Sequence, residues 1–200
     1  VLGRSIEAQR VLAAALAGPS PLTTTFPNTG LGRQLAMTAR LIGARSALGL
    51  KRQVFFTSLG GFDTHGDQLG RQQPLYNELD GAVAAFAAAM DELGLGSQAT
   101  LFTASDFGRT LQSNGDGSDH GWGSHQLVVG GAVRGGQVLG QMPELVVGGK
   151  DDTGSGRWIP STSVTQLGAS LGRWMGASLS QLADVYPDLG NFGDLALMNA

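Results

Sequence analysis

The chain has 200 residues, 42% of them hydrophobic and 14% charged, with 32 glycines, 7 prolines and no cysteine. That is enough apolar material for a real core with many tight turns, and the absence of cysteine excludes a disulfide framework, a thiolate metal site and a cysteine nucleophile. A formal net charge of -3 without a basic run excludes a nucleic-acid-binding surface of the usual kind, and no apolar stretch approaches the roughly 20 residues that span a bilayer.

The chain begins at Val1, without an initiator methionine, in helix-like sequence, and is expected to be the carboxyl-terminal part of a longer chain with residues 1–50 as a helical lead-in. Leu2, Ile6, Leu12 and Leu16 fall near one face of a first helix, stopped by Gly18-Pro19. After a connection rich in proline and threonine, Leu31, Leu35, Thr38, Ile42 and Leu48 approximate a second amphipathic helix ending near Gly49. Residues 54–59, VFFTSL, form a continuous apolar run rich in β-formers, the pattern of a strand covered on both faces. Leu79, Val83, Phe86, Met90 and Leu93 then mark a helix stopped by Gly94, and residues 99–105, ATLFTAS, give a second buried strand.

Strand, helix, strand in that order predicts an α/β fold with a mostly parallel sheet flanked by helices, whose ligands sit beyond the carboxyl ends of the strands. HQLVVGGAV and QVLG read as further strands, with a hairpin around Arg134-Gly135-Gly136, and residues 145–149, LVVGG, as one more. Ser163-x-x-Gln166 is a capping-box pattern opening a helix that carries Val164, Leu167, Leu171 and Trp174. No internal repeat divides the chain, which is expected to form a single α/β domain over 1–200.

The polar motifs fall on the expected strand ends. Asp63 and His65 flank one residue after the first strand, and carboxylates and imidazoles are the usual ligands of zinc or manganese. Read alone, the pair favours the plainer reading, in which Asp63 caps the following turn and His65 is a hydrogen-bonded surface residue. Asp106 ends the next strand, so adjacent parallel strands would bring its carboxylate near Asp63, where two carboxylates repel unless a cation or proton lies between them. Asp119, His120 and His125 add three potential ligands among flexible glycines, so all three histidines of the chain converge on one rim. His125 also reads as a satisfied core histidine at the start of an apolar strand. Arg109 either clamps a sulfate or phosphate oxygen or pairs with Asp106 or Asp119. Asp116 and Asp119 with backbone carbonyls offer a further reading, a single structural calcium. A Gly-x-Ser-x-Gly nucleophile elbow is absent, and Ser118 beside Asp119 and His120 is no triad, because triads are assembled from separate loops.

GGFDTHGDQ, TASDFGRT, SDHGWGSH, GGAVRGGQVLGQMPEL and RWIPSTSVTQLGASLGRWMG, in that order, resemble the carboxyl-terminal half of the bacterial family called domain of unknown function 1501, from about Val54 to Phe192. That family is similar to the alkaline phosphatase and sulfatase superfamily. The resemblance implies a partial alkaline-phosphatase-like domain with a divalent metal, zinc, manganese or calcium, held by Asp63, His65, Asp106 and His120 or His125. It also implies hydrolysis of a small anionic ester or polymer and export to the periplasm; Arg109, from its place three residues after Asp106, is the candidate catalytic group that would steady a peripheral oxygen. The alternative is a non-catalytic binding or scaffold domain with a degenerate metal site. Phe107 stands where the superfamily pairs a histidine with the aspartate, the Asp63 to His65 spacing is tighter than usual, and no nucleophile is identified in the chain.

Overall fold

A computed structural model describes residues 2–199. It divides the chain into two compact units, Val1–Asp63 with Gly70–Gly96, and Thr64–Leu69 with Ser97–Ala200.

The first unit is helical. Helices α1 (Leu2–Ala15), α2 (Gly30–Gly43) and α3 (Gln68–Glu92) follow in order, the last beginning in the second unit's short segment. Helix α1 forms where the periodicity places it, yet Ile6 and Leu12, on the expected buried face, are exposed. Thr29 caps α2 by accepting the Gly32 backbone N–H at 3.1 Å, and the packed face carries Leu31, Leu35 and Ala39. This helix stops at Gly43 and not near Gly49, the remainder continuing as hydrogen-bonded turns such as Leu48 N–H to the Ala44 carbonyl. Helix α3 starts well before the periodic residues and carries Pro74 as its seventh residue, where the ring removes one helical N–H; Phe86 and Met90, two of the expected apolar positions, are buried with Ala82 and Ala89.

Glu92, at the end of α3, gathers the backbone N–H and hydroxyl groups of both Thr23 and Thr24 at 2.6 to 3.0 Å. These bonds, the Thr24 hydroxyl first and then the Thr23 N–H and hydroxyl, pull its pKa from 4.5 to about 2. A depressed folded-state pKa adds stability above the unfolded value and loses it as pH falls through the folded one. Urea midpoints should therefore decline between pH 4.5 and about 2 in the wild-type chain, and Glu92→Gln should be less stable at neutral pH with a flatter profile across that window.

The second unit overturns the expected sheet. Among its described residues are two short antiparallel pairs, β1 (Leu101–Phe102) with β4 (Val128–Val129), and β2 (Gly108–Ser113) with β3 (Ser118–Gly121). A mostly parallel sheet flanked by helices, alkaline-phosphatase-like, is not what this chain forms. The physical reason lies in the strands themselves. VFFTSL is extended but has no partner strand among the described residues, and its alternate side chains Val54 and Phe56 are 84% and 93% exposed. In ATLFTAS only two residues enter a ladder, and their partner runs antiparallel from within HQLVVGGAV. The pair is extended by the Thr103 N–H bonded to the Leu127 carbonyl at 3.0 Å.

The hairpin expected around Arg134 is absent as well. Val133 bridges Met198 and Arg134 N–H donates to the Leu197 carbonyl, so the tail takes the place expected for QVLG, where Val138 is 82% exposed. LVVGG is a turn, with the Gly149 N–H bonded to the Val146 carbonyl and Gly148 at φ 79°.

Helix α4 (Val164–Trp174) opens at Ser163 with both halves of the expected capping box, including the Ser163 N–H donating to Gln166 Oε1 at 3.0 Å. A second box, Ser178 with Gln181, opens a helix that the periodicity did not disclose, α5 (Leu179–Val185). Leu182 of α5 is buried close beneath Gly172 of α4, where a methyl group would lie 2.8 Å from its side chain.

Candidate metal centre

The first candidate ligands come from a short extended segment. Thr64 is fully buried, while Asp63 and His65 on either side are exposed. Successive side chains of extended backbone point to opposite faces, so burying Thr64 turns the residues before and after it outward on one face. One residue of spacing therefore fixes the Asp63 and His65 side chains as neighbours through local chain geometry.

His120 arrives on the β2–β3 hairpin, opposite Arg109 in the register. The hairpin closes through Asn114, whose Oδ1 accepts the Gly117 N–H at 2.9 Å, with Gly115 at φ 117° supplying the left-handed turn. Gly117 then lies against the backbone of Thr64 and His65. A Cβ there would stand 2.6 Å from the His65 carbonyl group and 2.8 Å from the Thr64 oxygen. Asp116 seats the far end of the same segment, its Oδ2 accepting the Asp67 N–H at 2.8 Å and its carbonyl the Gln68 N–H at 3.1 Å. Asp67 holds φ 45°, a left-handed conformation that aspartate tolerates better than most residues.

The imidazole of His120 is held on its face and through its backbone. Phe107 stacks on it at 4.0 Å between centroids and 6° between planes, and the Arg109 guanidinium lies 5.2 Å from the Phe107 centroid. Arg109 also donates from Nη1 to the Ser118 carbonyl at 2.8 Å and from Nη2 to Thr64 Oγ1 at 3.4 Å, tying the hairpin to the segment before His65. The His120 carbonyl accepts from Arg157 Nε at 3.2 Å. Arg157 belongs to a glycine-rich loop that lies along β2, with Leu111 N–H bonded to the Gly156 carbonyl and Gln112 N–H to that of Ser155. Asp152 organises this loop by accepting the N–H groups of Gly148, Gly154 and Gly156 at 2.7 to 2.9 Å. Those bonds, Gly148 foremost, hold its carboxyl below the ordinary value.

Asp63, His65 and His120 each offer one ligand atom, and the three atoms lie within 4.8 Å of one another at exposed positions. The two imidazoles are 5.0 Å apart between centroids and tilted by 30°. His65 Nδ1 lies 3.3 Å from Asp119 Oδ1. Asp106 and His125 are exposed and lie outside this group. Asp106 had been expected there because adjacent parallel strands would carry it, and no such strands exist in the described chain. Arg109 makes backbone, hydroxyl and ring contacts that tie local structure together.

Three contributors escaped the sequence reading: Asn114, Arg157, and Phe107 as a plate under His120. Only Asn114 carried a signal, because Asn114-Gly115 is a strong hairpin dipeptide.

A carboxylate and two imidazoles gathered on an exposed rim, one imidazole backed by a second carboxylate, define a candidate metal-site protein. Residues 9–182 match the family model Protein of unknown function (DUF1501), and the chain belongs to that family. No curated protein and no solved structure matches the chain.

Proposed function

We propose that the chain carries a mononuclear divalent-metal centre, ligated by Asp63, His65 and His120, of a hydrolase acting on sulfate or phosphate esters. The observation that carries this reading is the convergence of one carboxylate and two imidazoles within 4.8 Å. Two nitrogen donors and one hard oxygen suit zinc or manganese. Calcium, which takes about 6–8 oxygen ligands, suits them poorly. Three protein ligands leave a position open for water or substrate, the pattern of catalytic rather than structural zinc sites.

Asp63, His65 and His120 would hold the cation, which when bound would supply Lewis-acid charge to an ester oxygen and lower the pKa of a water on it. The chain's own residues bind and orient. Asp63 contributes the compensating negative charge, Phe107 and the Arg157 contact fix His120, and the exposed rim admits an anionic ester or polymer from solvent. The likeness to the sulfatase and alkaline phosphatase superfamily supports the same donor types and the same substrate class. No residue of the chain is assigned as nucleophile.

Phe107 favours a second reading, a non-catalytic binding domain, because an aromatic ring lies flat on His120 where the resembled superfamily places a further ligand. Aryl phosphate and aryl sulfate esters, assayed with zinc or manganese, separate the two. Metal-dependent turnover that disappears in His120→Ala supports the hydrolase, and stoichiometric metal uptake without turnover of either ester supports the binding domain.

A further inference from the structure

Asp119 stands next to the candidate ligands in sequence and space, yet it is not one of the three. Its Oδ1 faces His65 Nδ1 at 3.3 Å, and both side chains are about half exposed, at 50% and 54%. The same oxygen accepts from Asn114 Nδ2 at 3.3 Å, and that amide nitrogen also donates to the His65 carbonyl at 3.1 Å. Asn114 is itself oriented, because its Oδ1 accepts the Gly117 N–H, so Nδ2 is the end that meets the carboxylate. The Asp119 backbone is fixed from the other side, its N–H donating at 3.1 Å to the hydroxyl of the buried Thr110. All of these residues belong to the second unit.

A neutral imidazole has one N–H and one lone pair, and an ionised carboxylate can only accept. A carboxylate at Nδ1 therefore places the proton on that nitrogen and leaves the lone pair on Nε2. Carboxylate–histidine–metal arrangements use this geometry to set both the tautomer and the ring orientation of a ligand. We infer that Asp119 is the positioning residue of the centre: it holds His65 as the Nδ1–H tautomer, so that Nε2 presents its lone pair to the metal. Asn114 acts one step further out, keeping the Asp119 carboxylate turned towards the ring. The inference rests on the metal-centre reading, but its first consequence concerns the metal-free chain and is testable there. A solvated histidine favours the opposite, Nε2–H form, so the tautomer is itself a signature.

The test is a long-range proton–nitrogen correlation spectrum of the nitrogen-15-labelled, metal-free chain at alkaline pH, where imidazoles are neutral. His65 is expected as the Nδ1–H form in the wild type and as the Nε2–H form or a mixture in Asp119→Asn. Zinc affinity, measured by competition with a chromogenic chelator, is expected to fall about 10–100-fold in Asp119→Asn. Asp119→Glu should recover part of the loss. An Nε2–H His65 in the wild-type spectrum overturns the inference without need of any variant, as does undiminished zinc affinity in a folded Asp119→Asn. A wild-type chain with the Nδ1–H tautomer that binds no zinc overturns the metal-centre reading and leaves the role of Asp119 in setting the tautomer intact.

Discussion

His120→Ala is expected to abolish stoichiometric uptake of zinc or manganese and, with it, the thermal stabilisation that the metal confers. Metal at a hundredfold excess over its dissociation constant stabilises the folded state by about 2.7 kcal/mol. For a chain of this size each kcal/mol moves the melting temperature by roughly 2–4 °C, so the wild-type protein should gain about 5–11 °C on saturation. His120→Ala removes one of the three donors and leaves Asp63 and His65, too few to compete with water for the cation. The variant should lose that gain while melting near the metal-free wild type, because His120 is exposed and its replacement opens no cavity in the core. His125→Ala serves as the comparison, since its imidazole lies outside the group. Equal stabilisation of the wild type and His120→Ala by zinc, or loss of it in His125→Ala alone, would remove His120 from the centre.

What could be read from the sequence divides according to how far each inference reached along the chain. The Ser163 to Gln166 box is a local device, four residues long, and it forms as expected. Ser178 to Gln181 repeats it, and its helix was missed because the segment is too short for periodicity to speak. Asp63 and His65 meet because one buried residue separates them, again a local relation. The sheet was a different matter. An apolar run such as VFFTSL fixes what a strand would bury but says nothing about which segment supplies its hydrogen-bonding partner, and neither Val54 nor Phe56 is covered in the described structure. The expectation for Asp106 depended entirely on that missing pairing. His120 reaches the group by a route with a local signature in the sequence, the Asn114-Gly115 turn that folds β3 back on β2.

The same turn gives Gly117→Ala a large expected structural effect at the site. The difficulty is space and not backbone conformation, since Gly117 has no left-handed φ. An added Cβ would sit 2.6 Å from the His65 carbonyl carbon and oxygen and 2.8 Å from the Thr64 oxygen, all of them backbone atoms that cannot rotate away. Gly117 cannot retreat either. Its N–H is bonded to Asn114 Oδ1, and its carbonyl accepts from the Asn114 N–H and the Ser113 hydroxyl at 3.1 and 3.0 Å. Relief therefore requires the Thr64–His65 segment to lift from the turn or the turn to open, and overpacking of this kind costs about 1–3 kcal/mol. Either movement displaces His65 relative to His120, so zinc affinity should fall together with the melting temperature. Gly135→Ala, where an added Cβ meets nothing within 4 Å, should change neither measurably. If Gly117→Ala keeps the wild-type melting temperature and zinc affinity, the His65 segment is not seated on the hairpin turn, and the geometry that brings the two imidazoles together fails with it.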